Sequence, residues 1–433
     1  MSMRPYPSYK DSVVEWLGQI PAHWQVKRLK YVVRQNPESL PETTDPDYEL
    51  QYLDIGNVDE VAGVGSPQEM RFSNAPSRAR RRVRSGDTIV STVRTYLKAI
   101  AYFDNPPENL IVSTGFAVLR PNREVHPKFL HALVRSRQFV EKIVTRSVGV
   151  GYPAINPGEL SCLPVWLPSP TEQRAIAAFL DRETGKIYVL AKKMERLIEL
   201  LQEQRTALIS HAVTEGLNPD APMKDSGVPW LGRIPEHWQV KPLKHITQFV
   251  NGAPFKPADW GSDGVPIIRI ENLNGGDVFN YTTLLVNKRY DVLTGDILFG
   301  WSGNRGTSFG PFIWQREGRH FLNQHIFRLE GFHEHRGWLY WMLKAVTLYV
   351  EEQAHGIIGM VHITKGDLGV IKIPLPPLDE QESIADYIST ETAKLDALIA
   401  KVRTTIERLQ EYRTALISAA VTGQIDVRSV STL

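Results

Sequence analysis

Positively charged side chains are concentrated between residues 71 and 98. Eight Lys or Arg residues lie in this stretch against a single acid, Asp87, in a chain whose formal net charge is +2. Such local clustering is typical of a surface that binds phosphate groups. The run from 78 to 84 is equally typical of a solvated loop, whereas the segment 94–98 follows a predicted strand. The candidate contacts are Arg78, Arg81, Arg82, Arg94, Tyr96 and Lys98.

A second segment with suitable chemistry, Trp301–Gly306, also follows a predicted strand. It carries Asn304 and Arg305, whose side-chain types have the donors and acceptors that pair with adenine and guanine edges in DNA. Residues 250–330 contain eight basic and eight acidic residues, so charge supports DNA contact less strongly in this half. The further candidates here are Lys256 and Arg269.

A glycine-containing loop precedes each of two long predicted helices. The loops are Gly149–Ile155 and Gly356–His362. Glycine allows a ligand to approach the backbone closely, which makes Tyr152 and His362 candidate contacts. A plain connection into the next strand is the alternative interpretation.

Motifs that would indicate catalysis are incomplete. Asn105-Pro-Pro-Glu108 is similar to the tetrapeptide with which amino-methyltransferases hold a flipped base, but Glu108 replaces the stacking aromatic residue. We therefore predict a turn there. The spacing of His333-Glu334-His335 suits neither a helical zinc pair nor a zinc finger, and the sequence has no phosphate loop of the Walker type. These observations favour a binding protein over an enzyme.

Two repeated helices are the elements that must position these loops. Residues 203–214 and 411–422 agree at ten of twelve positions. Upstream of each copy, apolar residues recur at steps of three and four, the pattern of one helix lying along another. A single copy would favour an ordinary amphipathic core helix, but the repetition predicts that the two helices pair. The predicted seam consists of Ile187, Leu190, Met194, Leu197, Leu201 and Leu208 with Leu395, Leu398, Val402, Leu409, Tyr412 and Leu416.

A second repeat opens each half of the chain. Residues 11–32 and 225–246 are identical at 15 of 22 positions, which indicates a tandem duplication in which each domain is followed by a long helix. The halves fail to align over most of residues 36–150 against 250–350. Repeated domain starts and helices with divergent sequences inside the domains predict two domains that recognise different targets on one symmetric scaffold.

Within the domains the sequence predicts a few strands. Gly86–Val90 and Gly295–Phe299 are matching turns followed by buried strands, and Ile111–Leu119 and Leu322–Leu329 are further strands. The repeated Trp and His residues near 16–24 and 230–238 favour packing of each domain onto its helix over a ligand site. The Ser169–Glu172 segment predicts a capping box, and the second helix is expected to be capped at Asp379.

Bulk composition limits the class of protein. The chain has 433 residues, enough for two or three domains, and one cysteine, Cys162, which excludes an internal disulfide framework. The N-terminal residues lack an apolar signal-peptide core, and no run approaches the length of a membrane span. The expected location is cytoplasmic.

At this point the sequence resembles a known family. The segments Trp16–Trp24 and Trp230–Trp238, the helix starts Leu167–Gln173 and Leu375–Gln381, and the paired Arg-Thr-Ala-Leu-Ile-Ser segments are similar to the specificity subunit of type I restriction–modification systems. The resemblance covers essentially the whole chain. It implies a non-catalytic DNA-reading subunit with two target recognition domains, in which Arg94 and Lys98 contact DNA.

The resemblance also implies partners and cofactors. The expected partners are double-stranded DNA, two methyltransferase subunits and restriction subunits, with no membrane. The chain itself is expected to bind no cofactor or metal, since S-adenosylmethionine would enter with the methyltransferase subunits and ATP and Mg²⁺ with the restriction subunits.

The predicted fold class is α/β (α+β), with two globular recognition domains joined by two long helices that form a coiled coil. Because the chain runs domain, helix, domain, helix, helices that touch along their length must be antiparallel, which gives a pseudo-two-fold axis. Two domains so related would read a split target with an unread spacer. The predicted boundaries are 1–168 and 225–376 for the domains, 169–216 and 377–423 for the helices, 217–224 for a linker and 424–433 for a tail.

Two other functions compete with this one. A DNA-binding scaffold or regulator that works without enzyme partners would carry the same reading loops. An amino-methyltransferase would require Asn105–Glu108 to hold a base, and cofactor binding by the isolated chain would support it.

Overall fold

The computed structural model describes residues 4–59, 63–353 and 360–428. The chain divides into two compact units, Met1–Glu195 with Val402–Leu433 and Arg196–Lys401. Both units combine helices with β-sheets, so the predicted mixed class with two globular domains is confirmed. Among the described residues, none of the helices combines the length and apolar composition needed to cross a membrane.

The first unit carries its strands before its long helix. Its helices are α1 (Pro127–Val134), α2 (Arg137–Arg146), α3 (Pro157–Cys162) and the beginning of α4 (Pro170–Glu215). Its strands are β1 (Tyr9–Asp11), β2 (Gln19–Pro21), β3 (Gln25–Arg28), β4 (Val33–Gln35), β5 (Glu49–Leu53), β6 (Val58–Asp59), β7 (Gly63–Val64), β8 (Gln68–Arg71), β9 (Ala79–Arg82), β10 (Thr88–Ser91), β11 (Ile100–Tyr102), β12 (Leu110–Ser113), β13 (Phe116–Pro121) and β14 (Pro164–Leu167).

Two four-stranded sheets form the body of the first unit. Their strand orders are β11-β10-β13-β4 and β8-β5-β12-β9, and β5 and β12 are parallel neighbours. The two sheets share one apolar core, which includes Ile89 and Val118 from the first sheet and Leu53 and Val112 from the second. The opposite face of the first sheet packs on α1 through residues such as Phe129. The sheets and helix thus form three layers.

The second unit follows the same plan. Its helices are α5 (Ile270–Leu273), α6 (Arg336–Gln353), α7 (Lys365–Val370) and the beginning of α8 (Leu378–Val421). Its strands are β15 (Met223–Asp225), β16 (Arg233–Pro235), β17 (Gln239–Pro242), β18 (Gln248–Asn251), β19 (Val265–Ile268), β20 (Asn280–Thr282), β21 (Asp291–Val292), β22 (Ile297–Gly300), β23 (Ser302–Asn304), β24 (Gly310–Ile313), β25 (His320–Leu322), β26 (Ile326–Glu330), β27 (Met360–His362) and β28 (Lys372–Leu375).

The sheets of the second unit have the same topology as those of the first. Their orders are β24-β22-β26-β18 and β20-β19-β25-β21, and the parallel pair is now β19 with β25. The matching extends to the short pairs β14-β3 and β28-β17. The duplication therefore covers the strands inside each domain, where the two sequences fail to align.

Two predicted strands are each broken in the structure. In Ile111–Leu119, β12 ends at Ser113 and β13 begins at Phe116 in the other sheet. In Leu322–Leu329, residues 323–325 separate β25 from β26 in the same way. The prediction of one continuous strand was wrong because the chain turns from one sheet into the other within a single apolar run.

The matching Gly-Asp turns support the same strands in both units. Gly86 and Gly295 have φ angles of 89° and 91°, a conformation that L side chains adopt only with strain. Asp87 is fully buried and takes two hydrogen bonds of 2.8 Å from Arg120. These bonds raise the pKa of the Arg120 guanidinium, which therefore stays charged beside the buried carboxylate.

Each unit pairs the beginning of one long helix with the end of the other. In the first unit, Leu180 of α4 and Ile417 of α8 lie on one cavity wall. In the second unit, Ile209 of α4 and Ile388 of α8 share a core, and Arg205 Nε donates to Asp396 Oδ1 at 2.9 Å. As α4 residue numbers rise, those of their α8 partners fall. The helices are antiparallel within each unit, as predicted.

The predicted seam needs correction at alternate positions. Ile187, Leu201, Val402 and Leu416 are buried, and Met194, Leu208, Leu395 and Leu409 are half-buried. Exposed side chains occur instead at Leu190, Leu197, Leu398 and Tyr412. The residues that turn inward lie one position later, at Ala191, Ile198, Ile399 and Arg413. The error arose because apolar residues form two neighbouring stripes on each helix, and the spacing alone does not show which stripe faces inward.

A repeated glutamate fastens each domain to the start of a long helix. Glu172 accepts a hydrogen bond from Trp24 Nε1 at 3.1 Å and lies 2.8 Å from His23 Nε2. Glu380 makes the same two contacts at 2.9 and 2.6 Å. The predicted packing role of these Trp and His residues is therefore confirmed. We call the sets the first anchor (His23, Trp24, Glu172) and the second anchor (His237, Trp238, Glu380).

The anchors change the expected helix starts. Ser169 Oγ accepts a hydrogen bond from the Glu172 amide at 3.3 Å. The Glu172 carboxylate, however, accepts a hydrogen bond from Tyr6 OH, so only half of the predicted capping box forms. The second long helix begins at Leu378. Asp379 therefore lies inside its first turn and is not the cap.

Candidate nucleic-acid interface

A short loop presents Arg94, Tyr96 and Lys98 at the end of strand β10. Arg94 and Lys98 both have φ angles of 50°, and residues 95–97 form one turn of 3₁₀ helix between them. The left-handed conformation is uncommon for residues other than glycine and is concentrated at functional sites. Thr95 is buried, and its Oγ1 lies 2.8 Å from Ser147 Oγ. Tyr96 is 52% exposed, so the loop is fixed at its base and accessible at its tip.

The glycine loop before α3 lies against this Arg94 loop. Val93 and Ala154 form a β-bridge, and the Ile155 amide donates to Thr92 O at 2.9 Å. The Arg94 guanidinium lies 4.7 Å from the centroid of the Tyr152 ring, a cation–π distance. Two segments that were predicted separately therefore form one surface, with Tyr152 68% exposed.

The second unit brings the corresponding segments together. Strand β23, which carries Asn304, pairs with β27, which ends at His362. The Ile363 amide donates to Trp301 O at 2.9 Å, matching the bond between Ile155 and Thr92 in the first unit. Asn304, Arg305 and His362 are exposed. The predicted glycine loop is described only from residue 360, and Gly356 to Gly359 lie outside the described residues.

A cavity with mixed polar and apolar lining adjoins this surface in the second unit. It has a volume of about 530 Å³, and both Asn304 and Arg269 line it. The Arg269 guanidinium lies 4.7 Å from the Trp260 ring centroid and donates to Asn280 Oδ1 at 2.8 Å. Lys256 is exposed on the chain next to Phe255, another lining residue. Two of the predicted residues, Arg269 and Asn304, therefore line one cavity.

Sequence reasoning missed a third wall of this cavity. Asn323, Gln324 and His325 line it, from the turn between β25 and β26. Amide side chains can bond to adenine on two atoms at once. The segment was hidden inside the predicted strand Leu322–Leu329; its run of three polar residues was the signal that could have indicated a turn.

The two units place opposite charges at one equivalent position. Asp54 directly follows β5, and Arg269 directly follows the equivalent strand β19. The backbone amide of each donates to the side chain of an Asn three residues later, Asn57 at 3.2 Å and Asn272 at 2.9 Å. Asp54 pairs with Arg78 at 2.7 Å. The same backbone position therefore presents an acid in one domain and a base in the other.

The basic run of the first unit is partly compensated by acids from elsewhere in the chain. Arg78 pairs with Asp54, and Arg84 pairs with Glu38 at 2.9 Å. Arg81 and Arg82 lie half-buried on the edge strand β9. Burial lowers the pKa of Arg81. The two ion pairs make the net positive charge of this surface smaller than the charge count between residues 71 and 98 suggests.

The motifs considered for catalysis occupy other surroundings. Asn105 has a φ angle of 53° in the connection after β11, and its amide donates to Ser85 Oγ at 3.3 Å. The Leu110 amide donates to Pro107 O at 3.0 Å, which closes a turn that includes Glu108. In residues 4–59, 63–353 and 360–428, no group of three or more His, Cys, Asp or Glu side chains is arranged to hold a metal ion.

Comparison with known proteins places the two halves in one family profile. The profile described as "Type I restriction modification DNA specificity domain" matches residues 23–199 and again residues 235–408. The MjaVIII specificity subunit of a type I restriction enzyme from Methanocaldococcus jannaschii is 24% identical over 346 residues, which cover 75% of this chain and 76% of that protein.

Two solved structures have similar folds. The HsdS subunit from Thermoanaerobacter tengcongensis superposes with a TM-score of 0.52 at 25% identity, covering 94% of this chain and 98% of that one. A chain of a type I R-M system superposes with a TM-score of 0.74 at 24% identity, covering 94% and 99%.

Proposed function

The chain belongs to the type I restriction–modification DNA specificity family, and from this premise we propose that its two units read the two halves of a split DNA target. The observation that carries the proposal is the repeated meeting of two loops. In each unit the segment after β10 or β22, which carries Arg94 or Asn304, lies against the segment that carries Tyr152 or His362. These side chains have the polar and aromatic groups that contact base edges and phosphates.

The contents of the loops support different targets for the two units. The first unit offers Arg94 stacked on Tyr152, which suits a guanine or a phosphate. The second offers Asn304 with Gln324 and Asn323 around a cavity of about 530 Å³, which suits adenine. The target is therefore asymmetric, with different half-sites.

The repeated frame supports a scaffolding role. Each unit carries the same anchor and the same strand order, so a protein that binds one unit through the frame finds a second equivalent surface. We propose that two methyltransferase subunits bind there and that restriction subunits complete the complex. The chain itself is non-catalytic in this proposal. S-adenosylmethionine would enter with the methyltransferase subunits, and ATP and Mg²⁺ with the restriction subunits.

The test is methylation sequencing of a methylation-free host that expresses this chain with the methyltransferase encoded beside it. The expected result is one methylated split motif with unlike halves and a fixed gap. Associated proteins that leave the DNA unmethylated would contradict the proposed role and favour a DNA-binding regulator that works without enzyme partners.

The long helices provide a second test of the same proposal. Insertion of seven residues into α4 and seven into α8 keeps the apolar repeat of each helix in phase. We expect the gap in the methylated motif to change while both half-sites stay the same. A control insertion of two residues, which breaks the phase, is expected to abolish methylation. Altered half-sites after the seven-residue insertions would contradict a spacing role for the helices.

A further inference from the structure

The two anchors differ in what covers the glutamate. In the first unit, Tyr6 OH donates to Glu172 Oε1 at 2.6 Å, and its ring lies 5.8 Å from the Trp24 ring, edge to face. The Arg428 guanidinium lies 5.0 Å from the centroid of the Tyr6 ring. The Glu172 side chain is 3% exposed as a result. Burial, followed by the bond to Glu172, raises the pKa of Tyr6, so its hydroxyl remains a donor.

In the second unit the same carboxylate faces a cavity. Glu380 is 37% exposed, and the cavity beside it has a volume of about 300 Å³. Apolar groups of Pro235 and Ile384 form part of the lining. Its polar side chains are those of His237, Glu380, Glu215, Asn218 and Ser383. A cavity of this size is at the lower limit of those that hold small ligands, roughly 300 Å³.

The strand register identifies the residue that replaces Tyr6. Strand β1 pairs Tyr9 with Pro21, and strand β15 pairs Met223 with Pro235. Tyr6 stands three residues before Tyr9, and Asp220 stands three residues before Met223. Asp220 is exposed. The second anchor therefore has the same His, Trp and Glu side chains as the first. Among the described residues of its own unit, no phenol takes the place of Tyr6.

We propose that the cavity beside the second anchor receives a tyrosine side chain of a partner protein, with the phenol hydroxyl donating to Glu380. This inference rests on the proposed function, in which that partner is a methyltransferase subunit. A tyrosine brings a rigid apolar ring for Pro235 and Ile384 and a donor for the carboxylate. Residues of this kind are enriched at protein interfaces for that reason. The first unit, closed by its own Tyr6, would bind its partner without this contact.

The first experiment uses p-cresol, the side-chain analogue of tyrosine, and toluene, which lacks the hydroxyl. Ligand-observed NMR on the full chain measures the affinity of each. We expect p-cresol to bind at least tenfold more tightly than toluene, since a hydrogen bond to a charged acceptor is among the stronger ones. Tyr6→Ala, which opens the first cradle, should add a second p-cresol site.

The second experiment fills the cavity from within the chain. Asp220→Tyr puts a phenol at the sequence position that strand register matches to Tyr6, beside Ala221, which lines the cavity. Asp220→Asn is the matched control. We expect Asp220→Tyr to abolish p-cresol binding and to weaken association with the methyltransferase subunit at least tenfold. The control should keep both affinities of the wild-type chain.

The outcomes separate this inference from the proposed function. Wild-type chain that forms no complex with the methyltransferase subunit would contradict the proposed function, while p-cresol binding still decides whether the cavity takes a phenol. Equal association of Asp220→Tyr and Asp220→Asn would overturn the partner tyrosine. Equal affinity for p-cresol and toluene would overturn the hydrogen bond to Glu380.

Discussion

The two units have the same strand order and different reading surfaces. Both have two four-stranded sheets, one of which contains a parallel pair, and an anchor on a long helix. At the position after the equivalent strands β5 and β19, the first unit presents Asp54 and the second presents Arg269. The difference shows that the frame depends on buried positions, whereas loop residues change without disturbing the strands.

The same contrast appears on the helix that packs against the antiparallel sheet, which is α1 in the first unit and α6 in the second. His126 and His335 both donate their amides at 2.8 Å to a helix glutamine, Gln173 or Gln381, which fixes the equivalence of α1 and α6. Five residues later the first unit has His131 and the second has Tyr340. The units are therefore expected to respond differently to pH.

The largest expected effect concerns the anchors that the units share. Trp24 and Trp238 are fully buried, so Trp24→Ala and Trp238→Ala should each lower the free energy of unfolding by about 3–5 kcal/mol. Urea denaturation followed by hydrogen exchange assigns the loss to a unit. Each substitution should affect its own unit. Equal loosening of both units by one substitution would contradict separate anchoring.

The next effect concerns reading. Arg94→Ala should weaken binding to DNA that carries the correct first half-site by about 5- to 150-fold, the equivalent of about 1–3 kcal/mol for a good base contact. Fluorescence anisotropy with target and unrelated DNA measures this. Equal loss on unrelated DNA would instead assign Arg94 to a phosphate. Arg84→Ala, at a residue already paired with Glu38, is the control and should change binding less.

A smaller effect is expected in acid. Burial, with the nearby Arg135 and Arg413, lowers the pKa of His131 to about 3. The folded state keeps this ring neutral, while the unfolded chain takes up a proton below pH about 6.5. The contribution of His131 to the free energy of unfolding is therefore complete above pH about 6.5. It decreases by at most about 1.4 kcal/mol per pH unit as the pH falls toward 3.

Substitution by the residue of the other unit tests this difference. His131→Tyr should flatten the decline of the free energy of unfolding between pH 7 and pH 5 in urea titrations. His333→Gln, at an exposed histidine, should leave the slope of the wild-type chain. An unchanged slope in His131→Tyr would show that the acid sensitivity lies elsewhere, for example at His126, whose pKa burial also lowers.

The smallest effect concerns the pair between the long helices in the second unit. Arg205 and Asp396 side chains are 33% and 54% exposed, and exposed pairs contribute roughly 0–1 kcal/mol. Asp396→Ala should therefore lower the free energy of unfolding by less than about 1 kcal/mol. A larger loss would mean that this pair, and not the apolar seam, holds the helices together.

The duplication, the long helices and the anchors could be predicted because their residues repeat in the sequence. Alternate seam positions could not, since apolar residues stand side by side there: Leu190 precedes the inward-facing Ala191, and Leu197 precedes the inward-facing Ile198. The common strand order inside the domains also left little trace, because many apolar residues satisfy the same buried position. The meeting of Arg94 with Tyr152 depends on contacts between distant segments, which spacing alone does not report.

The central claim is that each unit reads one half of the target, and the methylated motifs of two variants test it most directly. Arg94→Ala and Asn304→Ala would each be expressed with the methyltransferase partner and the host methylome sequenced beside that of the wild-type chain. We expect Arg94→Ala to relax or remove base preference in one half of the motif and Asn304→Ala in the other, with the gap unchanged. Relaxation of the same half by both variants, or of both halves by either one, would contradict the account.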